Sequence, residues 1–271
     1  MGLTAAELAK RDDFAAQYRR STQAPIRQVD CAVCGCDYGG TSWADRAEVD
    51  GIIRALGLAP GVSLLEIGAG AGWPSLYMAR QSGCEVTLTD LPFDGLAIAA
   101  KRAVEDHVAD RCRLAVADAA HLPFADASFD AINHSDVLCC LVEKQAVLAE
   151  CRRVLRPGGL MAFSVIYIRE GLSKPDHAAA AETAPEFVES ERSYPEMLDA
   201  TGWEIVTRDD LTARFSENCL RKIGVEESLR GDLEPLMGVD FDARQARMRR
   251  RIEVLNKGHL KRELFLVRPR P

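Results

Sequence analysis

The 271-residue sequence has no apolar run approaching the roughly 18 residues that span a bilayer, so a membrane-spanning role is excluded. Its opening stretch, MGLTAAELAKRDDFAAQYRR, holds no unbroken apolar segment of the kind a secretion signal needs. Ala6 stands where a myristoylation motif requires Ser or Thr, and together these absences predict a cytoplasmic protein. Excess positive charge is also missing: 34 Lys and Arg face 41 Asp and Glu, a net charge of -7. A surface of that sign repels a polyphosphate backbone, which disfavours nucleic acid as a partner and favours a small molecule. The densely basic stretch 244–251 (RQARMRRR) reads as a helix with a solvated face. Nine cysteines, an odd number without a secretion signal, argue for reduced thiols. Cys31, Cys34 and Cys36 form C-x-x-C-x-C, but the second ligand pair that a zinc site requires is absent, so no metal is expected.

What is present is an ordinary globular composition, 47% hydrophobic and 28% charged, in a chain long enough to bury a core without staples. Thr4 and Glu7 have capping-box spacing, and Leu8, Phe14, Ala15 and Tyr18 follow at helical intervals, predicting a helix over 4–20. Residues 23–43 read as a loop able to fold over a ligand, and 44–58 as a second helix. Short β-rich runs then alternate with helical ones, the pattern of parallel βαβ units. Strands are expected at 63–67, 85–89, 113–117, 129–133 and 160–168, with the helix before the last stopping at Pro157-Gly158-Gly159. The segment 169–192 reads as a long loop or partly helical cover. A strand at 203–207, a mostly helical stretch at 213–258 and a strand at 260–267 complete the chain.

The most informative segment is Leu64-Leu65-Glu66-Ile67-Gly68-Ala69-Gly70-Ala71-Gly72, followed by Trp73-Pro74. Glycines at alternate positions after a strand let the backbone turn sharply and approach a ligand. Tight packing of helix on strand produces G-x-G as well, but here three acids accompany it. Glu66 precedes the turn by two residues, Asp90 closes the second strand as TLTD, and Asp118 closes the third in VADAAHLPF. Three carboxylates around one turn suit a ligand with an amino group, a ribose and an adenine amine, namely S-adenosylmethionine. They suit a pyrophosphate poorly, because Glu66 would repel it. An NAD-dependent oxidoreductase shares the glycine turn but requires G-x-G-x-x-G, and position 73 is Trp73.

The succession EIGAGAG, TLTD, VADAAHLPF, SFDAINHSD and RRVLRPGGLMAFSVI resembles the signature segments of class I S-adenosylmethionine-dependent methyltransferases, over roughly residues 35–210. That resemblance implies an α/β, doubly wound, seven-stranded Rossmann-like sheet of order 3-2-1-4-5-7-6, its last strand antiparallel. Helical additions are expected at the amino terminus and between the sixth and seventh strands. It divides the chain into an amino-terminal helix and cap loop at 1–43 and a methyltransferase domain at 44–271, with a helical insertion at about 213–258. It also implies Gly68, Ala69, Gly70 and Gly72, with Trp73, against the methionine part, Asp90 on the ribose, Leu91 over the adenine, and Asp118 with the Ala119 amide on its edge. Glu66 and Asn133 are expected near the amino group.

Methyl transfer demands a nucleophile held in line with the methyl carbon in a water-poor site. Acceptors that are hydroxyls or ammonium groups also need a base. Asn133-His134-Ser135-Asp136, at the end of the fourth strand, supplies His134 as a candidate base with Asp136 to orient it or to bind a cation, or His134 hydrogen-bonds loop backbone instead. Tyr38 or Trp43, from the cap, would touch the sulfonium by a cation–π contact, or pack as lid aromatics. The N-P-P-Y and D-P-P-Y segments of amino-methyltransferases that act on nucleobases are absent after this strand. Alternatives are an arsenite methyltransferase built on Cys31, Cys34, Cys36, Cys139 and Cys140, and a protein that binds the donor without catalysis.

Overall fold

The computed structural model describes residues 4–36 and 42–270. Helices α1 (Ala5–Ser21), α2 (Ala24–Cys34) and α3 (Arg46–Ala55) come first. The body then alternates as β1 (Ser63–Ile67), α4 (Ser75–Ser82), β2 (Glu85–Asp90), α5 (Phe93–Glu105), β3 (Cys112–Val116), β4 (Phe129–Ser135), α6 (Lys144–Val154) and β5 (Leu155–Ile168). Helices α7 (Lys174–Thr183) and α8 (Tyr194–Ala200) lead to β6 (Trp203–Asp210). Then follow α9 (Thr212–Ser228), α10 (Arg230–Met237), α11 (Phe241–Asn256) and β7 (Leu260–Pro269). The strands form one sheet of order β3-β2-β1-β4-β5-β7-β6. The first five run parallel, and β7 lies antiparallel between β5 and β6. The strand order is the one expected.

Local chemistry sets the element ends. Thr4 accepts from the Glu7 amide while the Glu7 carboxylate accepts from the Thr4 amide at 2.9 Å, so the capping box forms. Residues 23–43, expected as loop, instead contain α2. Its start and stop were written in Pro25, in the first turn, and Gly35, left-handed at the carboxyl end (φ 80°). The helix expected to run to Pro157 ends at Val154, and β5 begins at once, pairing irregularly with β4 between Phe129 and Ala131. The cover at 169–192 is partly helical through α7.

Two apolar layers sandwich the sheet. One gathers Leu65, Ile132, Leu148, Phe163, Trp203 and Phe265 under α6 and α8. The other gathers Leu64, Leu88, Ala131, Leu76 and Leu96 under α4 and α5. Central strands buried on both faces read as continuous apolar runs, which is why LLEI and AINH carry so few charges. The carboxyl ends of β1, β2 and β4 therefore open toward the same edge, and α1 packs beside α5 along it.

Candidate active site

Beyond β1 the chain turns through Gly68, Gly70 and Gly72, all at positive φ (67°, 51° and 105°). All three allow close approach as well as conformation, Gly72 to Leu76 of the following helix and the other two to more distant parts of the chain. A Cβ on Gly68 would lie 2.5 Å from Cγ2 of Val137, and one on Gly70 would lie 2.9 Å from Cε1 of Tyr18. Ala69 ties the turn to β2, its amide donating to the Thr89 carbonyl at 2.9 Å, and the Gly72 amide donates to the Ala69 carbonyl at 2.9 Å.

Three carboxyl groups surround this turn in different electrostatic states. Glu66 is 1% exposed beneath it, and burial pushes its pKa up to about 8 although the Asn133 amide donates to it at 2.8 Å. Asp90 accepts from the Gly70 amide at 2.7 Å, the Leu91 amide at 2.8 Å and the Tyr18 hydroxyl at 3.1 Å. Burial nevertheless outweighs those donors and pushes Asp90 up to about 6. Asp118 accepts from the Ala120 amide at 2.9 Å.

Gly68, Asp90, Leu91, Asp118 and Ala119 wall one cleft, and α1 closes it with Lys10 and Phe14. The cleft encloses about 100 Å³. The donor set fits S-adenosylmethionine: a reluctant acid at Glu66, a buried Asn133 Oδ1 with no hydrogen-bond partner, an accepting carboxylate at Asp90, and a cradle that a Cβ would fill. At the turn itself, the Asn133 Oδ1 has no donor and the Glu66 carboxyl has no cation beside it among the described residues, and an ammonium group would supply both. Ligand sites usually enclose ~300–1,000 Å³, so α1 and the Val137 side chain must move outward for a nucleoside to enter.

Other expected residues stand elsewhere. Tyr38 lies outside the described residues. Trp73 does not face the cleft: its indole donates to the Ala44 carbonyl at 2.9 Å and packs against Tyr77 in the core. Trp43 walls a neighbouring cavity, where Lys222 and Arg251 lie 5.3 and 5.9 Å from its ring centre, so cations of the chain itself occupy the indole faces. His134 is fully buried and stacked on Phe163, ring centres 4.8 Å apart, with no partner on either nitrogen. Burial drives its pKa down to about 3, so the ring is neutral at working pH.

Asp136 does not orient it, a correction to the expected pairing. Its carboxylate is taken by Arg262 Nε at 2.9 Å, Ser164 Oγ at 3.2 Å and the Trp43 amide at 3.2 Å. Arg262 and its second partner Glu48, bonded at 2.8 and 2.9 Å, are residues that sequence reasoning missed. The signal was a charge within an alternating apolar face, Leu260, Arg262, Leu264, Leu266. The five cysteines do not converge. Cys31 and Cys34 belong to α2, the Cys139 and Cys140 thiols donate to the Asp136 carbonyl, and no metal-binding cluster of three His, Cys, Asp or Glu occurs among the described residues.

A family model described as a methyltransferase domain matches residues 65–163. Methyltransferase GfsG of Streptomyces halstedii is 29% identical over 187 residues, covering 63% of this chain and 66% of that protein. Demethylmenaquinone methyltransferase of Parafrankia sp. (strain EAN1pec) is 32% identical over 197 residues, 59% of this chain and 76% of that protein. The chain thus spans about two thirds of the first relative and three quarters of the second. Among solved structures, that of the [4+2]-cyclase SpnF superposes with a TM-score of 0.68 at 24% identity, over 85% of this chain and 83% of that one, a likeness in fold. The chain belongs to the class I S-adenosylmethionine-dependent methyltransferase family, and S-adenosylmethionine is its donor. No helix among the described residues is long and apolar enough to cross a membrane.

Proposed function

We propose that the protein transfers a methyl group to an oxygen, nitrogen or sulfur atom of a small molecule in the cytoplasm, with no nucleic acid as acceptor. The observation that carries this reading is the meeting of Gly68, Asp90, Leu91, Asp118 and Ala119 around one cleft at the carboxyl edge of the sheet. Bound there, S-adenosylmethionine supplies an electrophilic sulfonium methyl. Asp90 accepts from ribose hydroxyls, exchanging the Tyr18 hydroxyl for them, and Leu91, Asp118 and Ala119 receive the adenine end. Glu66 and Asn133 serve the amino-acid end. Residues 1–43 act as a cap over this cleft, and 44–271 as the transferase domain.

Among the described residues no imidazole lines the cleft, and neutral His134 packs on Phe163. We therefore read His134 as packing, and the rate as resting on positioning and water exclusion, which together supply several kcal/mol of a barrier, about 7–11 in the best-oriented cases. Calorimetry with S-adenosylhomocysteine and with NAD tests the site. Binding of the first at micromolar strength and neglect of the second is expected. The reverse result removes the reading.

A further inference from the structure

Helix α11 carries five arginines whose partners divide them. Arg249 pairs with Glu227 at 2.8 Å, Arg250 with Glu182 at 2.9 Å and Arg244 with Glu226 at 3.0 Å. Arg247 and Arg251, four residues apart and so on one helix face, have no carboxylate partner among the described residues. Arg247 donates to the Glu182 and Ala184 carbonyls at 3.1 and 2.9 Å, and Arg251 to the Thr183 carbonyl at 2.8 Å. Lys222 of α9 lies over the Trp43 ring and likewise forms no ion pair with a described residue.

These three cations wall a single cavity of about 510 Å³. Two carboxylates share the wall: Asp240 caps α11, accepting from the Ala243 amide at 2.8 Å, and Asp30 is buried with a partner of its own, although its Oδ2 accepts no hydrogen bond from the described residues. The wall thus carries three cations without carboxylate partners among the described residues against one partly satisfied acid. Arg251 is only 9% exposed, and burial pulls its pKa down to about 10. Besides the Thr183 carbonyl, this guanidinium meets Met248 Sδ, the Cys219 side chain and the Trp43 ring, none of them a carboxylate, and an oxyanion is the group that compensates a buried cation best. In a chain of net charge -7, a concave surface with unpaired cations is a local inversion of sign.

The cavity also has the right neighbour. Trp43, Gln17, Arg247 and Arg251 continue into a second space walled by Lys10 and Phe14, and those two residues also wall the donor cleft. A molecule anchored at the arginines can extend beneath α1 toward the transferable methyl. We propose that the methyl acceptor carries an oxyanion, a phosphate or a carboxylate, held by Lys222, Arg247 and Arg251. This rests on the methyltransferase reading, which it sharpens by naming the acceptor's charge.

Calorimetry at low ionic strength, with the protein saturated in S-adenosylhomocysteine, tests it using inorganic phosphate and benzoate as probes. One of them should bind with 1:1 stoichiometry. Arg247→Met and Lys222→Met should each weaken binding at least tenfold, with melting temperature and S-adenosylhomocysteine affinity unchanged, since neither side chain lines the donor cleft. Arg249→Met removes the same charge from another face of the helix and should leave anion affinity within twofold. Binding of phosphate alone identifies a phosphorylated acceptor, and of benzoate alone a carboxylic one. Failure of both probes, survival of binding in the Lys222→Met/Arg247→Met double variant, or an equal loss in Arg249→Met overturns the proposal. Failure of the wild type to bind S-adenosylhomocysteine in a separate titration would instead strike the donor site, and the anion titrations then stand on their own.

Discussion

At the scale of single residues, burial sets the properties of the site more than proximity does. Glu66 titrates in the unfolded chain near the ordinary glutamate value but at about 8 when buried. Between those values the folded state binds the extra proton, so stability falls as pH rises through that window, by up to about 1.4 kcal/mol per pH unit. Glu66→Gln keeps an oxygen for the Asn133 amide and removes the titration. Its melting temperature should exceed the wild-type value at pH 8 and match it near pH 5, while S-adenosylhomocysteine binds at least tenfold more weakly for want of a carboxylate. A melting curve whose pH dependence is unaltered by the substitution would show that Glu66 is not the group responsible. His134 gives a contrasting expectation. Both ring nitrogens are buried without partners, so His134→Phe removes two unpaired polar groups and retains the stack on Phe163. Turnover within twofold of wild type and an equal or higher melting temperature are expected. A hundredfold loss of turnover in a well-folded variant would restore the imidazole as a base.

Among the elements, α1 carries the cleft's closure. Its Tyr18 hydroxyl donates to Asp90, its ring blocks the space over Gly70, and Phe14 and Lys10 form the outer wall. The donor's ribose competes for the same carboxylate, so entry requires that hydrogen bond to yield. Hydrogen exchange of α1 amides should change on adding S-adenosylhomocysteine while that of β4 does not, and Tyr18→Phe should alter the association rate several-fold. Identical exchange with and without ligand would place the lid elsewhere. The glycine cradle and the acids at the strand ends were legible in sequence because backbone turns and strand ends need particular residues at fixed spacing, whereas the sheet order followed from the family resemblance that those segments carry. Helix α2 was obscured by its turn-like residues, although Pro25 and Gly35 mark its two ends. The function of α11 was hidden differently. A run of arginines looks uniformly solvated, and only tertiary packing distinguishes Arg249 and Arg250, which pair with carboxylates, from Arg247 and Arg251, which find none among the described residues and bind backbone carbonyls.

Across the whole molecule, one arginine joins elements from both ends of the chain. Arg262 of β7 is fully buried and binds Glu48 of α3, Asp136 after β4 and Ser164 of β5. The two carboxylates hold it firmly protonated, while burial pushes Glu48 upward against the pull of Arg262. Asp136 sits at φ 57°, and its neighbour Val137 forms the wall against Gly68, so the network also fixes one side of the donor cleft. No spacing in sequence could reveal a contact across 214 positions, and only the charge in an apolar strand face hinted at it. Arg262→Met leaves two carboxylates facing one another in a dry interior, at a cost of about 3–5 kcal/mol. For a chain of this size that lowers the melting temperature on the order of 10 °C. Glu48, which burial already pushes upward, loses the pull of Arg262 and takes up a proton in the folded variant above its unfolded pKa, so the deficit should be largest at pH 8 and shrink toward pH 5. Thermal unfolding at both pH values measures this directly. Adding Glu48→Gln and Asp136→Asn should recover much of the stability at pH 8 by removing the stranded charge. An Arg262→Met protein as stable as wild type at pH 8, or a deficit indifferent to pH and to those two amides, would mean that packing around β7, and not the ion network, holds the two ends of the chain together.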